Sequence, residues 1–367
     1  MFNLFRKKKQ EEHKGDQYIS LKVRNVVKET SDTVSIYFEQ PEPYLEYKPG
    51  QFLTVILDIN GKEERRSYSL CTSPFVDPHP AITVKRVDNG LVSNYLNDQI
   101  RPGKTIEIMK PMGNFTVPFH SQNKRHFVLI AGGSGITPVM SLAKSALINE
   151  PSSQVTLIYS SRNEEQIIFK KELEQLVEKY SDRLNVVHNL TQPTASWEGL
   201  KGRISEEKIK DILDAKVRDL SSAVFFICGP EGMMDIAEKG VAALGVDKEN
   251  IHTESFYTDL SAKEEALRAE GKLAPALTRE VEVVLEGQTY HFEVAPGKTI
   301  LEAGLDQDVD MPYSCQSGLC TACRGKLLSG KVDMIEDAGL SPSEIAEGYI
   351  LCCSSKPASG DIKIVIE

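Results

Sequence analysis

The chain has 367 residues, of which 40% are hydrophobic and 26% are charged. This composition is typical of globular proteins, and the length predicts two or three domains. The formal net charge of −10 argues against a nucleic-acid-binding protein. Residues 278–367 contain 7 Lys and Arg against 15 Asp and Glu, so they carry a net charge of −8. An acidic end segment can steer a basic partner into contact, and a solvated surface explains the same charge equally well.

The first 15 residues, which begin MFNLFRKKKQEE, predict a flexible tail. They lack the apolar stretch of a signal peptide, and no later run of about 18 apolar residues predicts a membrane span. Weak peripheral contact of the basic and aromatic tip with anionic lipid is the alternative to a free tail. We therefore expect a cytoplasmic monomer, in which thiols stay reduced and clustered cysteines bind metal or serve redox chemistry.

Residues 16–120 contain short β-type runs interrupted by Pro-Gly turns, a pattern typical of an antiparallel β-barrel. One run, RRSYSL, carries residue types that suit a flavin. An arginine can form bidentate bonds to phosphate, and a tyrosine ring can lie against an isoalloxazine ring. Further along, a glycine precedes LVS, whose backbone N–H groups can meet a pyrophosphate. An ordinary strand and turn explains each piece alone. The residues concerned are Arg66, Tyr68, Ser69, Leu91, Val92 and Ser93.

Residues 121–257 alternate strands with helices, which predicts a doubly wound parallel sheet covered on both faces. Two of the predicted helices span about 138–149 and 164–180. The segment LIAGGSGITPVMS places a glycine turn between an apolar strand and a helix, where backbone N–H groups attract anions. Pro138 fits the first position of that helix. The glycines of the turn are Gly132, Gly133 and Gly135.

A later strand of the same segment ends in Cys228, Gly229 and Pro230. Ligands bind beyond the C-terminal ends of parallel strands, so this strand end and the glycine turn should border one site. A buried core cysteine is the simpler explanation of Cys228 alone. After the second strand come Ser161 and Arg162, and an arginine there can accept the 2′-phosphate of NADPH. NADPH is therefore favoured over NADH, with a solvated loop charge as the alternative.

Residues 258–277 are charged and Ala-rich and predict a linker, partly helical. Residues 278–367 open with two strands around a turn and hold five of the seven cysteines. Three of these, Cys315, Cys320 and Cys323, follow the spacing C-x4-C-x2-C. Thiolates are soft ligands for iron, and a plant-type [2Fe–2S] cluster uses this spacing with one later cysteine. Tetrahedral zinc is the alternative, but it usually shows two C-x2-C pairs. Gly318 and Gly325 should permit the backbone turns of this loop.

Taken together, the motifs RxYS, GxVSN, GGxGxTP and CGPxxMM occur in the order found in the ferredoxin–NADP⁺ reductase superfamily, which residues 16–257 resemble. The segment from PYSCQSGLCTACRGK to GYILCCSSKP resembles plant-type ferredoxins, which implies a β-grasp fold. The order flavin, nicotinamide and ferredoxin resembles oxygenase reductases of the type that serves phenylacetyl-CoA epoxidase or hybrid-cluster protein. The expected architecture is an FAD-binding barrel, a nicotinamide-binding doubly wound α/β domain and a ferredoxin domain.

The resemblance also implies roles for individual residues. In the family the fourth cluster ligand lies 29 residues beyond the third, which selects Cys353. Its neighbour Cys352 should point to the opposite face of an extended segment and serve as packing. Thr137 should approach the flavin, and Cys228, Glu254 and Phe256 should lie near the nicotinamide. The implied FAD contacts are Arg66, Tyr68, Ser69, Val84, Lys85, Leu91, Val92 and Ser93.

The implied function is electron transfer from NAD(P)H to FAD, then to the [2Fe–2S] cluster, and finally to a partner oxygenase, desaturase or other redox protein. In such enzymes the cofactors supply the chemistry, and the protein supplies positions and electrostatics. The alternative is an iron–sulfur redox sensor or docking module with slow turnover. Neither the acceptor nor the placement of the ferredoxin domain follows from the sequence.

Overall fold

The computed structural model describes residues 17–257 and 259–366, so the tail predicted for residues 1–15 lies outside the described residues. Within the described residues, three large sheets form three domains. We name them the barrel domain (17–120), the parallel-sheet domain (121–257) and the C-terminal domain (278–366). No helix in these residues combines the length and the apolar composition that crossing a membrane requires.

The barrel domain is an antiparallel sheet in the strand order β4-β3-β6-β1-β2-β5. Successive side chains of a strand point to opposite faces. In the third strand, Leu53, Val55 and Leu57 therefore fill the barrel core, whereas Phe52 and Ile56 lie on its outer face. The elements are β1 (Tyr18–Thr30), β2 (Thr33–Phe38), β3 (Phe52–Ile59), β4 (Lys62–Ser69), β5 (Ala81–Lys85), α1 (Leu91–Gln99) and β6 (Thr105–Met112).

The parallel-sheet domain contains six strands in the order β10-β9-β8-β7-β11-β12, all paired in parallel. The central strands β7 and β11 are buried over their full length, as expected for a sheet covered on both faces. The strands are β7 (His126–Gly132), β8 (Gln154–Ser161), β9 (Leu184–Leu190), β10 (Leu200–Lys201), β11 (Ala223–Cys228) and β12 (Ile251–Glu254). The helices are α2 (Ile136–Asn149), α3 (Lys170–Lys179), α4 (Glu206–Lys216) and α5 (Glu231–Ala242).

Two helix starts differ from the sequence prediction. The helix α3 begins at Lys170 and not at 164, because Phe169 adopts a left-handed conformation with φ of 60° that separates it from a short 3₁₀ turn. The helix α2 begins at Ile136, so Pro138 is its third residue and not its first. Proline is still tolerated there, because the first four N–H groups of a helix have no partner within the helix.

The C-terminal domain has a mixed sheet in the order β14-β13-β19-β15-β17, with a small β16–β18 ladder beside it. The first and last strands of the domain pair in parallel, and the expected hairpin precedes a short helix. The strands are β13 (Arg279–Leu285), β14 (Gln288–Val294), β15 (Arg324–Ser329), β16 (Val332–Met334), β17 (Tyr349–Leu351), β18 (Ser355–Pro357) and β19 (Ile362–Ile366). The helices are α7 (Ile300–Leu305) and α8 (Pro342–Ala346).

The predicted linker contains the helix α6 (Leu260–Ala269), which lies against the C-terminal domain. Lys263 and Glu264 of this helix form ion pairs with Glu336 at 2.9 Å and Lys356 at 2.7 Å. Further along, the backbone N–H of Ala274 donates to the Asp333 carboxylate at 2.6 Å. Between Lys263 and Ala274 the linker is therefore tied to the C-terminal domain.

The C-terminal domain also contacts the barrel through residues 314–323, which we name the cysteine loop. Cys320 and Ala322 of this loop pack with Phe52, Ile56 and Met109 on the outer face of the barrel in one buried apolar cluster. The hydroxyl oxygens of Ser67 and Ser314 lie 2.5 Å apart across the same interface. The Arg65 guanidinium stacks over the ring of Tyr313, the residue directly before the loop, 4.4 Å from its centroid. Apolar packing, a hydrogen bond and a cation–π contact thus hold the cysteine loop against the barrel.

Candidate functional site

A cavity of about 270 Å³ lies where the three domains meet. The barrel contributes strand β4 and the start of α1, the parallel-sheet domain contributes the ends of its strands, and the C-terminal domain contributes the cysteine loop. The structure therefore brings residues from all three domains to one cavity. The predicted site residues that line it are Arg66, Tyr68, Ser69, Lys85, Ser93, Thr137, Glu254, Phe256, Cys315 and Cys320.

On the barrel side, the side chains of β4 form one wall of the cavity. Tyr68 packs against the barrel core, and burial raises the pKa of its hydroxyl, so the ring is held as a neutral flat surface. Arg66 is half exposed, pairs with Glu64 at 3.4 Å and donates from Nη1 to the Arg65 carbonyl oxygen at 2.6 Å. Ser93 lies in the first turn of α1, whose free N–H groups and positive dipole end favour an anion. This wall combines a flat aromatic surface with two sites for negative charge.

On the opposite side, the glycine turn after β7 touches the end of β11. A Cβ atom on Gly135 would lie 2.1 Å from the Cys228 carbonyl oxygen, and one on Gly229 would lie 3.0 Å from the Gly132 nitrogen. Only glycine allows the two strand ends to approach so closely. Thr137 follows the turn and donates its hydroxyl to the Ser134 carbonyl at 3.0 Å. The two strand ends therefore meet in a tight backbone junction beside the cavity.

Glu254 ends strand β12 and joins the two sides of the cavity. Its carboxylate accepts a hydrogen bond of 3.4 Å from the Ser69 hydroxyl of the barrel. Enclosure by protein at the cavity wall raises the pKa of Glu254 to about 8. Burial, with the nearby Glu254 carboxyl, also raises the pKa of the Cys228 thiol, so that thiol stays neutral. Phe256, which is 48% exposed, lies at the cavity mouth.

Other predicted contacts lie outside the cavity wall. Val84 and Val92 are buried in the barrel core beneath it, and Leu91 is exposed at the start of α1. Ser161 and Arg162 follow β8, and Arg162 is exposed. Gly133 has a φ of 55° within the glycine turn. The predicted residues that the cavity lining does not include are Val84, Leu91, Val92, Gly132, Gly133, Gly135, Ser161, Arg162, Cys228, Gly229, Pro230, Cys323 and Cys353.

Four of the predicted cysteines converge at the base of the cysteine loop. The Cys315 thiol contacts those of Cys320 and Cys353, and Cys353 also contacts Cys323. Backbone N–H groups point at the sulfur atoms: Gly318 N lies 3.3 Å from Cys353 Sγ, and Cys353 N lies 3.4 Å from Cys323 Sγ. Such N–H groups stabilise thiolates bound to iron. The four thiols and their surrounding donors fit a [2Fe–2S] cluster.

Glycines shape this loop in two different ways. Gly318 has a φ of 74°, and a Cβ atom there would lie 2.5 Å from the Glu336 side chain, so both conformation and space require glycine. Gly325 was expected to permit a turn, but it lies in strand β15, where a Cβ atom would lie 2.6 Å from the Ile364 side chain. It serves close packing between strands and not a turn. Across 17–257 and 259–366, no three His, Cys, Asp or Glu side chains surround a point suited to one metal ion. A [2Fe–2S] cluster needs only two thiolates on each iron.

The adjacent cysteines Cys352 and Cys353 have different surroundings. Cys352 is fully buried among core residues of the C-terminal domain, and burial raises the pKa of its thiol. Cys353 instead contacts Cys315 and Cys323. The sequence prediction assumed an extended segment, but β17 ends at Leu351 and residues 352–354 form a turn. The turn, and not strand alternation, directs the two side chains apart.

Comparison with known proteins shows which family has this architecture. Three family models match in order: an oxidoreductase FAD-binding domain at residues 19–117, an oxidoreductase NAD-binding domain at 129–239 and a 2Fe-2S iron-sulfur cluster binding domain at 283–358. A subunit of the 1,2-phenylacetyl-CoA epoxidase from Escherichia coli is 35% identical over 349 residues, which cover 94% of this chain and 96% of the relative. The chain belongs to the FAD- and [2Fe–2S]-containing NAD(P)H reductase family.

Other members of this reductase family show the same full-length correspondence. The ferredoxin reductase component of 3-ketosteroid-9-alpha-monooxygenase from Rhodococcus rhodochrous is 38% identical, covering 95% of this chain and 97% of the relative. The solved structure of phthalate dioxygenase reductase superposes with a TM-score of 0.58 at 25% identity and covers 96% of this chain and 98% of that one. The predicted fold class, the FAD and [2Fe–2S] cofactors and the nicotinamide substrate are thereby confirmed, and the chain is an NAD(P)H-dependent oxidoreductase.

The sequence prediction missed several residues of the reductase cavity. Phe52, Ser67, Thr83, Val87, Ser134, Ser255 and Leu319 also line it. Most are neighbours of predicted residues, so widening each motif by one or two positions would have found them. Phe52 carries no such signal, since an apolar residue in a strand is usually core. Its place in the cavity depends on the docking of the cysteine loop.

We expect the pH dependence of flavin reduction by NAD(P)H to follow Glu254. Below its pKa of about 8 the carboxyl is neutral, and above it the carboxylate opposes transfer of negative charge into the cavity. The rate constant from rapid mixing should therefore fall as pH rises through about 8. Glu254→Gln should abolish this inflection. Ser69→Ala removes a hydrogen bond that lowers the pKa, so it should move the inflection to higher pH. An unchanged inflection in Glu254→Gln would show that another group titrates.

We expect the two adjacent cysteines to respond oppositely to substitution. Cys353→Ser removes a thiol that contacts two other cysteines, and the visible absorbance of the cluster should be lost. Cys352→Ser changes only a buried packing position and should keep the cluster spectrum, with a destabilisation of about 1–3 kcal/mol from the buried hydroxyl. Absorbance and iron content of the purified proteins measure both. Loss of the cluster in Cys352→Ser with retention in Cys353→Ser would contradict the geometry.

Proposed function

We propose that this chain is the reductase component of an oxygenase system and passes electrons from NAD(P)H to a partner oxygenase. The observation that carries the proposal is the shared cavity, in which the side chains of the barrel face Cys315 and Cys320 of the cysteine loop. A flavin held by the barrel would thus lie beside the cluster ligands. The relatives at 35% and 38% identity are a subunit of an epoxidase and a monooxygenase reductase component.

The cavity residues divide into three proposed roles. Arg66 and the first turn of α1 would bind the FAD phosphates, and Tyr68 would support the flavin ring. Thr137 would approach the flavin from the parallel-sheet domain, and Glu254, Phe256 and the Cys228 strand end would lie near the nicotinamide. The four cysteines of the C-terminal domain, Cys315, Cys320, Cys323 and Cys353, would bind the cluster. When bound, FAD accepts two electrons as hydride and releases them one at a time to an iron–sulfur cluster.

The oxygenase partner would meet an acidic surface. Residues 278–367 carry a net charge of −8, whereas the whole chain carries −10. Charge concentrated in the domain that holds the cluster favours fast encounter with a basic partner surface at low ionic strength. We also propose that the protein acts as a cytoplasmic monomer. None of the seven cysteines, all of which lie in the described residues, forms a disulfide, as is usual where thiols stay reduced.

The oxygenase-reductase proposal is tested by turnover of the purified yellow-brown protein with artificial acceptors. NAD(P)H should drive reduction of both ferricyanide and cytochrome c, and Cys353→Ser should lose only the cytochrome c activity because it lacks the cluster. The ferricyanide activity is the internal control, since flavin alone can supply it. The redox-sensor alternative predicts slow turnover with every acceptor, together with a partner interaction that depends on the cluster state.

We further propose NADPH as the preferred coenzyme, with Arg162 binding its 2′-phosphate. Arg162 follows β8 at the same sheet edge as the glycine turn, and its guanidinium is exposed. Arg162→Ala should raise the KM for NADPH by about tenfold or more, in line with loss of a charge-assisted hydrogen bond, and leave the KM for NADH unchanged. Arg218→Ala, at an exposed arginine after α4, is the matched control. Equal effects of Arg162→Ala on both coenzymes would contradict this role.

A further inference from the structure

Helix α2 carries a row of polar side chains that is buried against the barrel. Ser141, Lys144 and Ser145 are spaced three and four residues apart, so they share one face of the helix. Ser141 and Ser145 are completely buried, and Lys144 is 7% exposed. Thr137 starts the same face one turn earlier and lines the cavity. We name Ser141, Lys144 and Ser145 the polar seam. The seam runs from the functional cavity along the interface between the two larger domains.

Each side chain of the polar seam has a partner in one short segment of the barrel. The Ser141 hydroxyl donates to the Thr72 carbonyl oxygen at 2.6 Å. The hydroxyl oxygens of Ser145 and Ser73 lie 2.8 Å apart. The Lys144 ammonium lies 2.7 Å from the Asp77 carboxylate. Residues 72–77 therefore bind the whole seam. Buried polar groups require such partners, so the interface has one register in which all three are satisfied.

The apolar contacts of the same interface define the relative orientation of the two domains less closely than the polar seam does. Cys71, Ala81 and Phe115 of the barrel pack into the core of the parallel-sheet domain. Apolar burial favours contact but has little direction, so it tolerates small rotations of one domain on the other. Hydrogen bonds and a buried ion pair weaken steeply with misalignment. The polar seam is therefore the element of this interface that fixes orientation.

Lys144 forms ion pairs with two carboxylates, one in the barrel and one in its own domain. Its ammonium has a second carboxylate partner, Glu172 of α3, at 2.9 Å. Glu172 belongs to the same domain as Lys144, whereas Asp77 belongs to the barrel. Of these two ion pairs, only the Asp77 contact crosses the domain interface. The Glu29 carboxyl of the barrel also lies near Lys144 and Glu172. Removing the Asp77 and Glu172 carboxylates in turn separates interdomain positioning from simple charge neutralisation.

We propose that the Asp77–Lys144 ion pair, with the serine bonds beside it, positions the parallel-sheet domain for hydride transfer. The physical basis is that α2 begins at Ile136, directly after the glycine turn, and its second residue, Thr137, lines the cavity. The same helix is fixed to the barrel one to two turns later. A change in the seam therefore moves the strand-end site relative to the barrel wall that holds Tyr68. Hydride transfer requires close, aligned contact of the reacting atoms, and small displacements slow it strongly. Asp77 and Lys144 are positioning residues, since neither lines the cavity.

The test compares Asp77→Asn with Glu172→Gln in the intact holoprotein. Both remove one negative charge beside Lys144. The substituted amide at position 77 keeps an oxygen that can accept the Ser73 N–H, which is now bonded to Asp77 at 2.6 Å. Rapid mixing with saturating NADPH should show flavin reduction slowed about tenfold in Asp77→Asn and within twofold of wild type in Glu172→Gln. The apparent Kd for NADPH and the later step from flavin to cluster should stay within twofold in both.

Two further readouts separate positioning from general damage. Amide hydrogen exchange should rise in residues 71–78 and in α2 of Asp77→Asn, but only near α3 in Glu172→Gln. In a double-mutant cycle, Asp77→Asn should have no additional effect on flavin reduction once Lys144→Met is present, because the pair acts as one unit. Ser141→Ala is a smaller change that keeps the ion pair, and it should slow flavin reduction by about threefold. This variant replaces Asp77→Asn if the Asp77→Asn protein does not fold.

Equal slowing by Asp77→Asn and Glu172→Gln would overturn the proposal, since charge neutralisation would then explain both. Flavin reduction within twofold of wild type in Asp77→Asn, or in Ser141→Ala where that variant is used, would overturn it as well. Additive effects in the double-mutant cycle would show that Asp77 acts independently of Lys144 and would also contradict the proposed pair.

Discussion

The packing of the cysteine loop on the outer face of the barrel is the contact on which the functional architecture depends. Cys320 and Ala322 are buried there against Phe52, Ile56 and Met109, and the Ser67–Ser314 hydrogen bond of 2.5 Å adds direction to an otherwise non-directional contact. Through this interface Cys315 and Cys320 become part of the same cavity wall as Arg66 and Tyr68. Without it, the cavity wall formed by the barrel and the four thiols would be separate surfaces of one chain.

The barrel is the common partner of both other domains, and it holds them by different means. Its β3 and β6 strands bind the cysteine loop largely through apolar contact, whereas its segment 72–77 binds α2 through hydrogen bonds and a buried ion pair. Apolar contact permits a domain to leave and return, while a satisfied polar interface holds a single register. This difference suits a reductase whose coenzyme site must be precisely aligned and whose cluster must also reach an external acceptor.

The sequence predicted the parts of this protein that chemistry forces into short motifs. Iron ligation fixes cysteine spacing, and close backbone approach requires glycine, so the four clustered cysteines and the Gly135–Cys228 junction could be found without coordinates. Features set by contacts between distant parts of the chain could not be predicted in this way. Phe52 resembles any buried strand residue, the left-handed Phe169 that delays α3 has no glycine to mark it, and Cys352 and Cys353 separate through a turn where a strand was expected. The polar seam of α2 likewise has an ordinary helical spacing, and only its burial against the barrel shows its role.

The most direct measurement is single-turnover rapid mixing of the holoprotein with NADPH, following flavin and cluster absorbance separately at several protein concentrations. If the docked cysteine loop carries the electrons, flavin bleaching should precede cluster bleaching. The cluster step should then have a first-order rate constant that does not change with protein concentration, because donor and acceptor lie at one cavity of one chain. A cluster step whose rate rises in proportion to protein concentration would mean transfer between chains and would contradict the docked arrangement.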